Sequence, residues 1–346
     1  MATSRTQPPE RNLPNATFLK RQPPERNLPN ATSEYFDIVY SMTQLEDILD
    51  QFPSKPWDWA RLSSNPAISF DFILSHPSLP WNMHSVSMNV SISESDIYDH
   101  PQYAWDFDGL CFNKNISYSF YQKHMIDPVE VLHVNWAALS ANPAITTLDI
   151  IENDHQPWND RYLSDNPNLM STFILNEGRN RKWHVPSISA NSGIQERDIL
   201  KSSLSSLFEW DYRGLSANVN LPIVYVVYNI DHDWNFNSIS INANLHDIER
   251  FHIINWDANG LSINKNISFD YVLSKSNIQW DVKGLLTNAA IDVDTITNNV
   301  NWFKDQLDPN ERIETFMSSN NSITASWIKQ HADFIDWGRL SNNHLF

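Results

Sequence analysis

The chain reads as an all-α protein: an α-solenoid of about twelve tandem two-helix repeats, preceded by an extended Pro-rich arm. Three observations predict this class. Trp recurs at a commonest spacing of 24 residues, an Asn stands eight places after every recurrence, and Gly is scarce, at 7 against 14 Trp. Self-similarity at such a period is the mark of a repeat array, in which each unit buries its apolar face only by stacking on its neighbours.

The first segment, residues 1–33, holds the string QPPERNLPNAT twice, at Gln7 to Thr17 and Gln22 to Thr32. Prolines remove backbone donors and favour polyproline II, so the arm is expected to be extended and unable to build a core. Residues 34–56 follow, and Ile38, Leu45, Ile48 and Leu49 mark a helix over Tyr35 to Gln51 that is expected to cap the array.

Residues 57–346 are the array. Anchors fall at Trp57, Trp81, Trp105, Val134, Trp158, Trp183, Trp210, Trp234, Trp256, Trp280, Trp302 and Ile335. In the first unit Asp58 follows the anchor as a helix N-cap, Leu62 is the first buried aliphatic, Asn65 ends the helix and Ile68 precedes the second. Aligned on the anchors, the turn asparagines are Asn65, Asn89, Asn113, Asn142, Asn166, Asn191, Asn218, Asn242, Asn264, Asn288, Asn310 and Asn343. Asn bonds neighbouring backbone groups through its side chain, so a stacked row of these residues would satisfy turn after turn. The next helix starts at a capping residue such as Ser69, Ser93, Ser117, Thr146, Ser268 or Asp292, and Pro77, Pro80, Pro128 and Pro157 stop helices before the following anchor.

Glycine falls four residues after the anchor at Gly109, Gly214, Gly260 and Gly284, where a small residue lets helices approach closely. The chain stops at Phe346, which leaves the last unit without a second helix. A rod or superhelix roughly 100 Å long, with an uncapped, sticky C-terminal end that docks on another chain, is the expected shape.

The string W-D-W-x-x-L-S-x-N-P-x-I, best seen in Trp57 to Ile68, Asn135 to Ile145 and Trp158 to Leu169, resembles the Trp/Asn-containing repeats found in many copies in proteins of large nucleocytoplasmic DNA viruses, giant amoebal viruses included. The likeness covers Trp57 to Phe346. It implies a viral origin and a helical repeat fold, and no activity.

The residues point to no chemistry. Twelve histidines, among them His76, His124, His133, His155, His232 and His252, are scattered singly without an H-E-x-x-H pattern. Cys111 is the sole cysteine, which excludes an intramolecular disulfide and a multi-cysteine zinc site, and its place between Leu110 and Phe112 reads as packing. The even spacing of Asp58 and its equivalents makes them helix caps and not a catalytic series. Sequons at Asn15, Asn30, Asn89, Asn115, Asn266 and Asn320 are largely a by-product of the repeat. No catalytic, cofactor-binding or metal-binding residues are therefore expected, and no cofactor.

Net charge is -17 overall, yet residues 1–32 carry five basic and two acidic side chains, which leaves the body near -20. That body is a poor match for phosphate, so no nucleic-acid partner is expected. No apolar stretch is long enough for a membrane span. Partners are expected to be other proteins, namely capsid or scaffold subunits or the chain itself. Trp59, Trp136 and Trp337, one place beyond the N-cap, and Phe346 at the end are the candidate contact residues. Two functions follow as expectations. The first is a non-enzymatic viral structural or scaffolding protein, a minor capsid or internal virion component. The alternative is a soluble adaptor that binds a host protein. The virion or the cytoplasm of the infected host cell is the expected location.

Overall fold

A computed structural model describes residues 43–125, 134–177, 180–200 and 209–344. The Pro-rich arm, residues 34–42, Pro128, His133 and Phe346 lie outside the described residues. Among the described residues the protein is all-helical, with 25 helices and no strand. Each helix has four to eight residues, too short to persist in water without neighbours.

Two kinds of helix alternate. The first kind starts just after an Asp or Asn whose side chain accepts a free backbone N–H: Asp58 from Arg61, Asn82 from Ser85, Asp211 from Gly214, Asp336 from Arg339. Each such cap contributes about 0.5–2 kcal/mol. In Trp59–Ser64 the helix ends at Asn65, whose extended backbone turns the chain. The second kind starts after Ser69, Thr146, Ser268, Asp292 or Thr324, again with a side-chain cap. Ser93 and Thr146 form reciprocal capping boxes with Asp96 and Asp149.

Burial follows the repeat. Leu62, Ile68 and Ile73 in one unit, and Leu139, Ile145 and Ile150 in another, are fully excluded from water. Each such side chain contributes about 1.5–3 kcal/mol through burial. The anchor Trp residues add a polar tie: the indole N–H of Trp57, Trp81, Trp105, Trp158, Trp234 and Trp280 donates to the carbonyl oxygen five residues back, at 2.8–3.2 Å. That carbonyl belongs to the residue ending the preceding second helix, so the indole caps one helix and opens the next unit.

Glycine is required where neighbouring first helices touch. A Cβ on Gly109 would lie 2.4 Å from the His84 carbonyl oxygen, one on Gly214 2.5 Å from that of Pro186, and one on Gly260 2.4 Å from that of Asn237.

The expectation of an uncapped C-terminal end is corrected. The backbone N–H of Asp58 donates to Ser341 Oγ at 2.9 Å, and Asn65 Nδ2 donates to the carbonyls of Ser341 and Asn343. Lys329 and Lys55 pair with Asp47 and Asp333, and Trp57 meets Trp337 edge-on at 4.9 Å. The end of the chain therefore packs on its beginning.

The helix expected to cap the N-terminal end has another part. It spans Gln44–Gln51, with Thr43 and Glu46 forming a capping box, and it packs against the second helix Ala325–Gln330. Leu45, Ile48 and Leu49 are fully buried. Thr43 stands where a second-helix cap stands, and Trp57 donates to Phe52 as later anchors donate to later second helices. This helix stands beside the unit that Ile335 begins, in the place of a second helix.

Candidate functional site

The most regular polar feature is the row of turn asparagines, and each does two jobs. Its Oδ1 accepts the N–H two residues on, as Asn65 does from Ala67 and Asn166 from Asn168, at 2.9 and 2.8 Å. Its Nδ2 reaches into the preceding unit. Asn166 donates to the carbonyls of Ser140, Asn142 and Ile145 at 3.2, 3.1 and 3.0 Å, and Asn89 does the same with Ser63, Asn65 and Ile68. Asn113, Asn142, Asn191, Asn218, Asn264, Asn288 and Asn343 also donate backwards across their junctions. These asparagines are buried, which is sustained because their polar atoms, Asn343 Oδ1 excepted, are paired.

Two assignments from the sequence are corrected. Asn310 is not in the row: its backbone and side-chain N–H groups bond to Asp308 at an exposed site. The place belongs to Asn320, whose Nδ2 donates to Leu286, Asn288 and Ile291. An extra helix, Val300–Lys304, which contains Trp302, stands between the second helix Val293–Asn298 and the first helix Ile313–Met317, so counting from Trp302 lands too early. Trp302 itself is seated, 5.3 Å edge-on from Phe269, much as Trp105 lies 5.3 Å from Phe70.

Asn242 is also outside the row. It is the last residue of helix Phe236–Asn242, and its Nδ2 donates to Ser238 within that helix. The next helix is capped by Asn244, two places earlier than the repeat prescribes. The turn is therefore shortened, and Ala243 takes the buried seat that Ile68 holds elsewhere, while Leu245 is exposed.

A second row was not foreseen. The Ser six places after an anchor accepts the N–H of the next unit's N-cap residue: Ser63 from Asn82, Ser87 from Asp106, Ser140 from Asn159, Ser216 from Asn235, Ser262 from Asp281. Ser140, Ser216 and Ser262 also donate back to the carbonyl four residues before. A hydroxyl that donates within its helix and accepts across the junction explains why Ser recurs there. Cys111 occupies one of these positions. Burial pushes its thiol up to about 11, with a smaller opposing effect from the N–H of Asn135. Such a thiol is a packed side chain without thiolate character at neutral pH.

Trp59, Trp136 and Trp337 each pack on a neighbouring anchor, Trp59 and Trp136 remaining half-buried. Trp59 meets Trp81 at 5.5 Å, Trp136 meets Trp158 at 5.2 Å, and Trp337 meets Trp57, all edge-on. Tyr212 repeats the arrangement with Trp234. The residue after each of these N-caps packs on the next anchor.

The apolar surface left open lies chiefly on second helices. Leu148 and Ile151 on Thr147–Glu152 are 60% and 54% exposed, Leu200 on Glu196–Leu200 is 51% exposed, and Tyr228 on Ile223–Tyr228 is 84% exposed. Tyr98, Val224, Leu245 and Leu273 continue the set on further second helices. Among the described residues no three His, Cys, Asp or Glu side chains are gathered as for a metal, and no helix is long and apolar enough to cross a membrane. No family model, curated protein or solved structure matches this chain.

Proposed function

We propose that the chain is a closed α-solenoid of about twelve repeats that serves as a non-enzymatic scaffold, binding other proteins along its second helices. The carrying observation is the recurrence of exposed Leu, Ile, Val and Tyr side chains on that kind of helix, from Tyr98 to Leu273. Exposed apolar side chains repeated on one element type are what a protein-binding face requires, and a solenoid sets them at regular intervals. The Trp/Asn repeat resemblance suggests the setting, a viral particle in which the partners are capsid or internal scaffold subunits.

The test is cross-linking mass spectrometry on purified particles, with wild type and the variant Leu148→Glu/Ile151→Glu/Tyr228→Glu. Cross-links from the second helices to particle subunits, lost in the variant while the fold is kept, support the reading. Absence of the protein from particles, or unchanged incorporation of the variant, sinks it.

A further inference from the structure

The shortened unit at Asn242 leaves a hole in the asparagine row. At the neighbouring junctions an Nδ2 group donates to carbonyls of the preceding unit, as Asn166 does to Ser140, Asn142 and Ile145. The corresponding oxygens before Asn242 are those of Ser216, Asn218 and Leu221. No described side chain donates to any of them, because Asn242 has turned outward and bonds to Ser238. In place of the amide there is a cavity of about 120 Å³, lined among others by Ser216, Asn218, Leu221, Ala243 and Asp247.

The lining mixes apolar side chains with polar groups, and its side-chain amides, those of Asn218, Asn242 and Asn244, already donate elsewhere, which leaves acceptors facing the space. The carbonyl of Asn218 accepts only the N–H of Leu221 at 3.0 Å, and those of Ser216 and Leu221 accept from no described side chain, so each has room for a further donor. Asp247 adds a carboxylate that accepts from Asn244 Nδ2 at 2.6 Å, while its own backbone N–H donates to Asn244 Oδ1 at 2.9 Å. The pocket therefore favours a ligand with several N–H donors and a positive charge. It shares Ile223 and Asp247 as walls with a neighbouring groove of about 410 Å³, whose apolar lining of Ile223, Val224, Val227, Tyr228 and Phe251 also holds Arg250. That groove suits an alkyl stem. A chain of net charge -17 draws cations towards it.

We infer that this cavity binds a primary ammonium group, its hydrogens replacing the absent asparagine amide on Ser216, Asn218 and Leu221, with the attached alkyl chain along Ile223 and Val227. The ammonium comes either from a free alkylamine or from a lysine side chain of a partner protein.

The test uses the full chain and thermal unfolding at matched ionic strength. Butylammonium chloride should raise Tm saturably, whereas tetramethylammonium chloride, which has no N–H, should match sodium chloride. Ala243→Met fills the cavity and should abolish the butylammonium shift. Asp247→Asn keeps the fold and should weaken the apparent affinity on the order of tenfold. An equal shift from Nα-acetyl-lysine amide assigns the site to a partner's lysine, and a shift from butylammonium alone assigns it to a free amine. Equal shifts from butylammonium and tetramethylammonium, or an undiminished butylammonium shift in either variant, would overturn the inference.

Discussion

Asn65 gives its side-chain amide hydrogens to the carbonyls of Ser341 and Asn343, at 2.9 and 2.8 Å, although 276 and 278 residues separate them. The same contact between Asn166 and the carbonyls of Ser140 and Asn142 spans only 26 and 24 residues. One local rule thus also closes the molecule. The chain has no polar device for closure that it does not use elsewhere, and this shared geometry makes the row the first thing to perturb.

Asn166→Ala should lower stability by about 1–3 kcal/mol, the cost of leaving buried backbone oxygens unpaired. Asn65→Ala should cost as much. Asn242→Ala, at an exposed position off the row, should stay within about 0.5 kcal/mol. Urea denaturation of the three variants compares them directly, and a loss at Asn242 equal to that at Asn166 contradicts the assignment.

Gly to Ala inside a helix ordinarily stabilises by about 1 kcal/mol. At Gly214 and Gly260 the sign should reverse, because the new methyl meets the carbonyl oxygens of Pro186 and Asn237. A destabilisation of about 1–3 kcal/mol is expected from forced separation of packed backbones. Gly338, whose nearest Cβ neighbour would be 3.4 Å away, is the control that should tolerate Ala.

Deleting residues 335–346 removes the partner of Asp58, Asn65 and Trp57 and uncovers both faces of the junction. The truncated protein should associate through those faces. Light scattering coupled to size exclusion should show a concentration-dependent rise in mass that the intact chain lacks, and an unchanged mass argues against the closing contact.

Acid should weaken the fold through its helix caps. The N–H of Gly260, with help from Asn237, holds Asp257 below the usual carboxylate range, and the hydroxyl and N–H of Thr295 do so for Asp292. A carboxyl whose folded pKa is depressed contributes stability above its unfolded pKa of about 3.9, and that contribution is lost as pH falls through the folded value. Tm should therefore drop below about pH 4, and the drop should be shallower in Asp257→Asn. An identical acid limb in the variant removes Asp257 from the account.

Cys111 should resist thiol reagents. With its thiol pushed up to about 11 and the side chain buried, modification by a disulfide reagent at mildly alkaline pH should be negligible until denaturant is added. Rapid native-state labelling would show that the site opens.

Much of the fold was legible because each unit repeats its physics. Asp58 and Ser69 advertise caps, and Asn65 advertises a turn, all within a dozen residues. What escaped the sequence was phase and closure. Trp302 lies inside the extra helix Val300–Lys304, ahead of the first helix Ile313–Met317, so the count from it fell on Asn310 where the row continues at Asn320. The pattern Ser318, Asn320, Ile323, Thr324 repeats Ser63, Asn65, Ile68, Ser69 and would have corrected it. Asn242 sits at the right number but the cap at Asn244 comes two residues early, and cap position was the missed signal. Closure was legible only as a pair of complementary fragments, a lone second helix after Thr43 and a last unit ending at Phe346. The surroundings of Trp59, Trp136 and Trp337 could not be read from sequence, which does not reveal that the next anchor lies beside them.

Joining the last unit to the first also constrains how such a chain can diverge. An open array lengthens by duplicating a unit, since each copy adds one more identical junction. Here an added copy would have to be accommodated without separating Asn65 from the carbonyls of Ser341 and Asn343. Variation is channelled instead into segments added between helices, as with the extra helix Val300–Lys304, or into turns that shorten in place, as at Asn242.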